Sequence, residues 1–452
     1  MLAYWLVFPL ILAATGHGLL GPAEPVLTGR ETPLLPSQDP FYDLPQGFET
    51  AQPGDILRHR HPPNPMAAFG SIVLHLDSTY QIQYRTTNAL GNPTATVMTV
   101  LVPHNADMAK VLSYEIAQDS ANVDCAASYV FQKDHAKGPK GTGVTESELL
   151  VLAAGLEQGW VVIVPDYLGP NASYAANDLL GHATLDGIRA AKNSAPLTGI
   201  SDNPTVTLWG YSGGSVPVLG AAELRASYAP DVEIAGAAAG GIISNLTAVM
   251  NKNNKQERAG LTALVLLGFG HQYPEAKRAV DAHLLPQHRD RYHHVGDLCY
   301  VELYNEYKNE DVYAYFNEVD FIHKDPVIRA LLRENVFGKR TPDMPIYIYE
   351  AIHDQVVDSG DADGLVETYC SHGAQVEYQR EILANHETTA ILTLPKTISC
   401  LKDRMDGEVI PSKCVKRTTL STLLDISTAT ILPKFIIDTI LDLLSKPVGP
   451  IF

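Results

Sequence analysis

Gly210-Tyr211-Ser212-Gly213-Gly214 follows a short apolar run at 205–209 and precedes a segment of helical pattern at 215–224. A strand, a G-x-S-x-G turn and a helix in this order are typical of a nucleophile elbow, which holds a serine hydroxyl at the top of a sheet. Glycines flank the serine because the turn is too tight for side chains there. The pattern therefore predicts that Ser212 is a catalytic nucleophile.

Strand and helix patterns alternate on both sides of this turn. Thr145 and Glu148 form a capping-box pattern, which predicts the start of a helix over 149–157. The alternation is typical of an α/β fold, with a mostly parallel central sheet and helices on both faces. Further strands are expected at 97–102, 111–116, 160–164, 345–350 and 375–382, and further helices at 181–192 and 387–394.

The first residues have the pattern of a secretory signal. Within residues 1–18, an apolar run at 2–14 is followed by small residues that a signal peptidase could accept. The pattern is incomplete, because no Lys or Arg precedes the run. An uncleaved anchor is the alternative, but the run is short for a bilayer and no second apolar stretch reaches about 18 residues. Two glycosylation sequons, at Asn171 and Asn245, also favour export. We therefore expect a secreted, extracellular protein without a stable membrane span.

The rest of the chain divides by composition and pattern. A break in the strand and helix rhythm after residue 244 predicts a helical cap inserted into the core. Apolar residues at helical spacing near the end predict a tail packed on the body of the protein. The expected parts are an extended N-terminal arm at 19–70, a core at 71–244 and 340–430, the cap at 245–339 and the tail at 431–452.

The charge of the chain limits its partners. It has 33 Lys and Arg against 51 Asp and Glu, a net charge of -18, which repels phosphate backbones and anionic membrane surfaces. Nucleic acid is therefore excluded as a partner, and we expect a monomer. The 16 histidines and 5 cysteines show no spacing typical of metal ligands, so no metal and no organic cofactor is expected.

A serine hydroxyl needs a base and an orienting acid to act as a nucleophile at neutral pH. The best base is His386, in the loop after the strand at 375–382, because active-site loops gather at that end of such a sheet. The best acid is Asp354, in the loop after the strand at 345–350. The other candidates fit surface, loop or helix-start positions better: His182, His353 and His372 for the base, and Asp358, Asp361 and Asp363 for the acid.

The oxyanion formed during attack on an ester needs two hydrogen-bond donors. The backbone N–H of Gly213, next to the nucleophile, is expected to be one of them. The second is expected from the loop at 117–125, which follows an early strand. Asp119 or a neighbour must serve, because no His-Gly-Gly-Gly motif occurs in that loop.

With these residues in place, the chain resembles the fungal secretory lipase family, the lipase A type of Candida yeasts, over most of its length. The resemblance implies an α/β-hydrolase fold with a helical cap over the serine and an acyl-binding tunnel. Beyond the turn at 210–214, the motifs that carry it are Ala221-Ala222-Glu223-Leu224, Tyr228-Ala229-Pro230, Val164-Pro165-Asp166-Tyr167, Gly181-His182-Ala183 and Asp186-Gly187-Ile188-Arg189.

The resemblance also implies roles for single residues. Ser212, Asp354 and His386 match the catalytic triad of the family, in agreement with the choice from position. Asp119 matches the aspartate that the family places at the oxyanion site, together with the backbone N–H of Gly213. The family's cysteines would pair Cys125 with Cys299 and Cys370 with Cys414, and would leave Cys400 unpaired.

The expected activity is hydrolysis of carboxylic esters through an acyl-enzyme, with lipid esters such as triacylglycerols as the leading substrates. An acetylesterase that acts on a fungal secondary metabolite such as a trichothecene is the alternative, because the family includes such enzymes. A binding protein that kept the fold and lost catalysis is a third reading, disfavoured by the intact triad.

Overall fold

The computed structural model describes residues 32–135, 141–318, 320–408 and 414–422. The signal expected at 1–18 and the tail expected at 431–452 lie outside these residues. None of the described helices combines the length and the apolar character that crossing a bilayer requires.

One large twisted sheet forms the centre of the described protein, with the strand order β1-β4-β5-β7-β6-β8-β9-β10-β11-β12, and β2 and β3 form a small separate pair. Strands β1, β4, β5 and β7 are antiparallel neighbours, and every pairing from β7 through β12 is parallel. The strands are β1 Ile56–Arg60, β2 Ala67–Ala68, β3 Ile72–Val73, β4 Ser78–Thr87, β5 Pro93–Val102, β6 Asp107–Glu115, β7 Trp160–Pro165, β8 Thr205–Tyr211, β9 Gly236–Gly240, β10 Ile346–Ala351, β11 Val376–Glu381 and β12 Val415–Thr419.

Helices connect the parallel strands, as right-handed crossovers require. Those outside the segment between β9 and β10 are α1 Ala127–Val130, α2 Gly143–Glu157, α3 Asn177–Asn193, α4 Ala195–Thr198, α5 Ser215–Tyr228, α13 Ser359–Ser371, α14 His386–Leu392 and α15 Leu394–Met405. Between β9 and β10 lie α6 Leu246–Asn253, α7 Gly260–Gln272, α8 Pro274–His283, α9 Arg289–His294, α10 Tyr300–Tyr307, α11 Phe321–Lys324 and α12 Pro326–Glu334.

Alternate residues of the strands face two apolar layers, because successive side chains of a strand point to opposite faces. Val111 and Leu208 pack on one face with the apolar sides of α3 and α5. Leu112 and Trp209 pack on the other face with α2 and α15. The predicted mostly parallel sheet with helices on both faces is therefore confirmed.

Two features differ from the expected pattern. The predicted capping box is wrong, because α2 begins at Gly143 and Thr145 and Glu148 lie inside it. The Glu148 carboxyl group instead accepts hydrogen bonds from the Ala117 N–H at 2.9 Å and the Tyr114 hydroxyl at 3.0 Å. In addition, part of the segment expected as an extended arm is β1, which pairs with β4 at the edge of the large sheet.

Candidate active site

Ser212 lies in the turn that joins β8 to α5, at the carboxyl end of the parallel sheet. Its backbone has a φ of 53°, a left-handed conformation that a non-glycine residue adopts only when the surroundings impose it. A Cβ atom added at Gly210 would lie 2.1 Å from the Gly214 carbonyl oxygen, and one added at Gly214 would lie 1.9 Å from the Glu115 carbonyl oxygen. The glycines of the motif are therefore required by close backbone packing.

The structure brings the three predicted triad residues together. The Ser212 hydroxyl oxygen lies 2.7 Å from His386 Nε2, and His386 Nδ1 lies 2.6 Å from Asp354 Oδ2. Since the Asp354 carboxylate can only accept, Nδ1–H donates to it and Nε2 is left to accept the serine hydroxyl hydrogen. Ser212 and Asp354 are each 6% exposed and His386 is 3% exposed, so these hydrogen bonds are shielded from water. This arrangement can move a proton away from the serine hydroxyl.

Asp354 is held as a carboxylate by several donors. Its Oδ1 accepts the backbone N–H groups of Val356 at 2.7 Å and Val357 at 2.8 Å. Burial opposes the charge, but His386 and these N–H groups hold the pKa of Asp354 below its usual value. The Lys252 ammonium donates to the backbone carbonyl oxygens of Asp354 and Val357, at 2.9 and 2.6 Å, and so secures the loop from α6.

The backbone and helix of His386 are also fixed. The Tyr211 hydroxyl donates to the His386 carbonyl oxygen, and the His386 N–H donates to Gln355 Oε1 at 3.1 Å. Asn385 and Thr388 form a capping box at the start of α14. The imidazole therefore has little freedom to leave the serine, because both its ring and its backbone are tied.

Asp119 lies beside the elbow, as the oxyanion prediction requires. A Cβ atom added at Gly213 would lie 2.2 Å from Asp119 Oδ1, so the aspartate side chain borders the Gly213 backbone. The hydroxyls of Tyr174 and Tyr304 each donate to one Asp119 oxygen at 3.1 Å. Burial raises the pKa of Asp119 despite these two hydrogen bonds, and a raised pKa favours the protonated form that could donate to an oxyanion.

Helix α10 is joined to this loop by covalent and hydrogen bonds. The structure contains both disulfides that the resemblance implies, Cys125–Cys299 and Cys370–Cys414. The first connects the residue before α10 to the loop at 117–125, and the Ser120 hydroxyl donates to the Leu298 carbonyl oxygen at 2.8 Å. Tyr304, which donates to Asp119, therefore sits on a helix anchored at its N-terminus. Cys400 is a free thiol.

A second connection runs from the segment between β9 and β10 to the histidine loop. Arg258 forms an ion pair with Glu387, the residue that follows His386, and Gln355 donates to the other Glu387 oxygen. The Arg258 guanidinium also lies 5.4 Å from the centre of the Tyr304 ring. The sequence analysis gave no role in the site to Arg258, Gln355 or Glu387, because none of them belongs to a recognisable motif.

The alternative residues considered for the triad lie elsewhere. His182 stacks on Tyr228 with ring centres 3.9 Å apart, and His353 and His372 are exposed. Asp358 caps α13 by accepting the Gly360 N–H at 2.8 Å, and Asp363 pairs with Arg380. Within the described residues, none of these side chains forms a hydrogen bond or an ion pair with Ser212 or His386.

The two predicted glycosylation sites differ in their surroundings. Asn171 is exposed, whereas the Asn245 side chain caps α6 by accepting the N–H groups of Thr247 and Ala248. No group of three or more His, Cys, Asp and Glu side chains within the described ranges is arranged to hold a metal ion.

Comparisons with known proteins agree with this architecture. A family model described as secretory lipase matches residues 135–412. Lipase A of Arthroderma benhamiae is 40% identical over 424 residues, covering 93% of this chain and 90% of that protein. A probable trichothecene esterase of Stachybotrys chartarum is 34% identical over 362 residues, covering 78% of this chain and 73% of that protein. The X-ray structure of Candida antarctica lipase A matches with a TM-score of 0.80 at 25% identity, covering 93% of this chain and 99% of that one.

We expect Glu148→Gln to flatten the dependence of stability on pH. Burial raises the pKa of Glu148 to about 8, although the Ala117 N–H and the Tyr114 hydroxyl oppose the shift. An unfolded Glu titrates near about 4.3, so the folded protein binds more protons between these values and its free energy of unfolding falls as pH rises. Denaturant unfolding at about pH 5 and about pH 8 measures this slope.

The exposed Glu233 supplies the matched control. Glu233→Gln makes the same chemical change at an exposed carboxyl instead of a buried one. It should therefore keep the wild-type dependence of stability on pH. Equal slopes for the wild type and Glu148→Gln would contradict a buried acid that stays protonated near neutral pH.

Proposed function

Because the chain belongs to the secretory lipase family, and is a carboxylic-ester hydrolase with the α/β-hydrolase fold, we propose that it cleaves lipid esters with Ser212, His386 and Asp354 as its triad. The observation that carries the proposal is the unbroken chain of contacts from the Ser212 hydroxyl through His386 to Asp354, at 2.7 and 2.6 Å. The base is thus within hydrogen-bonding distance of both the nucleophile and the orienting acid.

Acylation begins when the Ser212 oxygen attacks the ester carbonyl carbon and its proton passes to His386 Nε2. The resulting imidazolium is stabilised by the ionised Asp354, whose lowered pKa keeps it charged. His386 then gives the proton to the departing alcohol, which leaves an acyl group on Ser212. A water molecule, deprotonated by the same imidazole, releases the acid and restores the serine.

The oxyanion of the tetrahedral intermediate is stabilised by two donors in this proposal. One is the backbone N–H of Gly213, which follows the nucleophile. The other is the protonated carboxyl of Asp119, which borders Gly213 and whose pKa is raised by burial. A neutral acid can donate here, whereas a carboxylate would repel the developing negative charge.

The substrate class rests on the relatives. Lipase A of Arthroderma benhamiae and lipase A of Candida antarctica are named lipases and match about nine-tenths of this chain or more.

Ser212 is only 6% exposed, so the residues that cover it must move before an ester can reach the hydroxyl. We assign this covering role to the helices from α6 to α12, the segment for which an inserted cap is predicted.

We also propose that the protein is secreted. The family model is described as secretory, and the two disulfides are of a kind that forms in oxidising compartments. The signal at 1–18, glycosylation at Asn171 and Asn245, and a monomeric state stay predictions.

Replacing the nucleophile is the direct test. Ser212→Ala should reduce kcat for a short-chain p-nitrophenyl ester by about 10⁴-fold or more, because the attacking oxygen is lost. A fluorophosphonate should label the wild type at Ser212 and should fail to label His386→Ala. Circular dichroism and thermal unfolding serve as the control that the variants are folded. Wild-type turnover by folded Ser212→Ala would remove the proposed mechanism.

A matched pair at Asp119 tests the second oxyanion donor. Asp119→Asn keeps a neutral hydrogen-bond donor and should retain most of the activity, whereas Asp119→Leu should lower kcat by roughly 10² to 10³. Activity of the wild type should also fall as pH rises through the pKa of Asp119, since only the protonated acid donates, and Asp119→Asn should lack this fall. If folded Asp119→Leu keeps the wild-type kcat, the side chain is not an oxyanion donor.

The second candidate function is favoured by the probable trichothecene esterase, which is 34% identical to this chain. The two activities differ in the acyl group that must fit beside Ser212. For a lipase, kcat/KM for p-nitrophenyl esters should rise from acetate towards long acyl chains. A preference for acetate that excludes long chains would replace the lipid substrate with an acetylated secondary metabolite, with the same catalytic residues.

A further inference from the structure

Glu350 is a buried acid that the mechanism described above does not use. It lies near the end of β10, four residues before Asp354, and its side chain is fully buried. Its Oε2 accepts the backbone N–H of Ile242 at 2.9 Å. Its Oε1 is buried without a hydrogen-bond donor, and no Lys or Arg among the described residues forms an ion pair with Glu350. A carboxylate in such a place would be strongly destabilised.

The Glu350 carboxyl lies within hydrogen-bonding reach of the Asp354 carboxyl. Two carboxylates repel each other, but a carboxylic acid can donate to a carboxylate. The pair must therefore hold a proton in order to make this contact.

The partners of the two groups decide which one holds the proton. Asp354 accepts two backbone N–H groups and the His386 N–H, and all three favour its charged form. Glu350 has the Ile242 N–H and a weaker contribution from the Ala351 N–H. Burial, and then the negative charge of Asp354, raise the pKa of Glu350 well above its usual range. The proton therefore belongs on Glu350.

The other titratable groups around Glu350 do not supply a compensating positive charge. Tyr211 on β8, Tyr349 on β10 and Tyr378 on β11 each interact electrostatically with Glu350, and burial raises the pKa of all three phenols. They are neutral at physiological pH. His386, at the start of α14, reaches Glu350 only through Asp354.

We propose that Glu350 is a positioning residue: a neutral carboxylic acid that donates a hydrogen bond to Asp354 and thereby limits how strongly Asp354 favours a positively charged His386. The proposal rests on the triad proposed above. A hydrogen bond received by Asp354 draws charge away from the oxygen that faces His386, so the imidazole is less basic than it would be beside an unshared carboxylate. Glu350 thus lets His386 serve as a base at lower pH.

Two substitutions separate the possible states of Glu350. Glu350→Gln replaces the acid hydroxyl by an amide that can also donate to Asp354, and its carbonyl oxygen can still accept the Ile242 N–H. Glu350→Met keeps the length of the side chain and removes the donor. The readout is the acid-side midpoint of the kcat/KM profile on a short-chain p-nitrophenyl ester, where His386 becomes protonated and activity is lost as pH falls.

We expect the midpoint of Glu350→Gln to match the wild type, whatever happens to the maximal rate. The midpoint of Glu350→Met should rise by roughly 0.5 to 1 pH unit, because an unshared Asp354 carboxylate stabilises the imidazolium. A midpoint of Glu350→Gln below the wild type would overturn the proposal, since it would mean that a negative charge had been removed. A midpoint of Glu350→Met equal to the wild type would overturn it as well.

The same comparison can be made without turnover. Titration of His386 followed by NMR in the Ser212→Ala background should give the same order, with the Glu350→Met form titrating at higher pH than the other two. Failure of the ester assay with the wild type would contradict the proposed function and leave this titration valid. If Glu350→Met does not fold, the Glu350→Gln comparison alone decides between the neutral and the charged acid.

Discussion

The backbone contact between Gly214 and the carbonyl of Glu115 is the constraint around which the site is arranged. It brings the turn after β8 against the end of β6, closer than any side chain would allow. Ser212 is forced into a left-handed conformation by the same turn. Because the loop that carries Asp119 leaves from β6, the contact also sets Asp119 beside the Gly213 backbone. The proposed nucleophile and the proposed oxyanion donors are therefore positioned by one piece of backbone packing.

The charge state of each buried acid in the site depends on the hydrogen-bond donors around it. Asp354 is charged because three N–H groups point at it. Asp119, Glu148 and Glu350 are buried with fewer or weaker donors, and the pKa of each is raised. The result is one carboxylate hydrogen-bonded to His386, while the Glu387 carboxylate nearby is paired with Arg258. An unpaired second negative charge beside Ser212 would oppose formation of the proposed oxyanion.

The parts of the fold that could be predicted from the sequence are those with a local signal. The elbow has a motif, the strand before Asp354 is an apolar run, and the strand before His386 alternates Val376 and Tyr378 with polar residues. Strand β9 could not be predicted, because it consists of glycine and alanine, which have no preference for strands. Gly240 cannot carry a side chain because a Cβ there would lie 2.1 Å from the Tyr349 ring. That reason is visible only once β9 and β10 are paired.

The candidate site divides in the same way. Ser212, His386 and Asp354 could be predicted because each follows a strand, and the ends of parallel strands meet at one edge. Glu350, Arg258 and Glu148 could not, because their importance depends on which backbone N–H or carboxylate lies across from them. For Glu148 the local pattern was misleading, since a Thr and a Glu three residues apart also occur inside a helix.

Helix α10 carries Tyr304, and it is tethered through Cys299 to the loop that bears Asp119. A helix that contacts the proposed oxyanion site is a place where substitutions could change which acyl groups are accepted. Because Asp119 is the proposed oxyanion donor, moving α10 would also move one of its hydrogen-bond partners and so would change turnover. Diversification of substrate range is thus expected to proceed through the other helices between β9 and β10, and α10 should change slowly among close relatives.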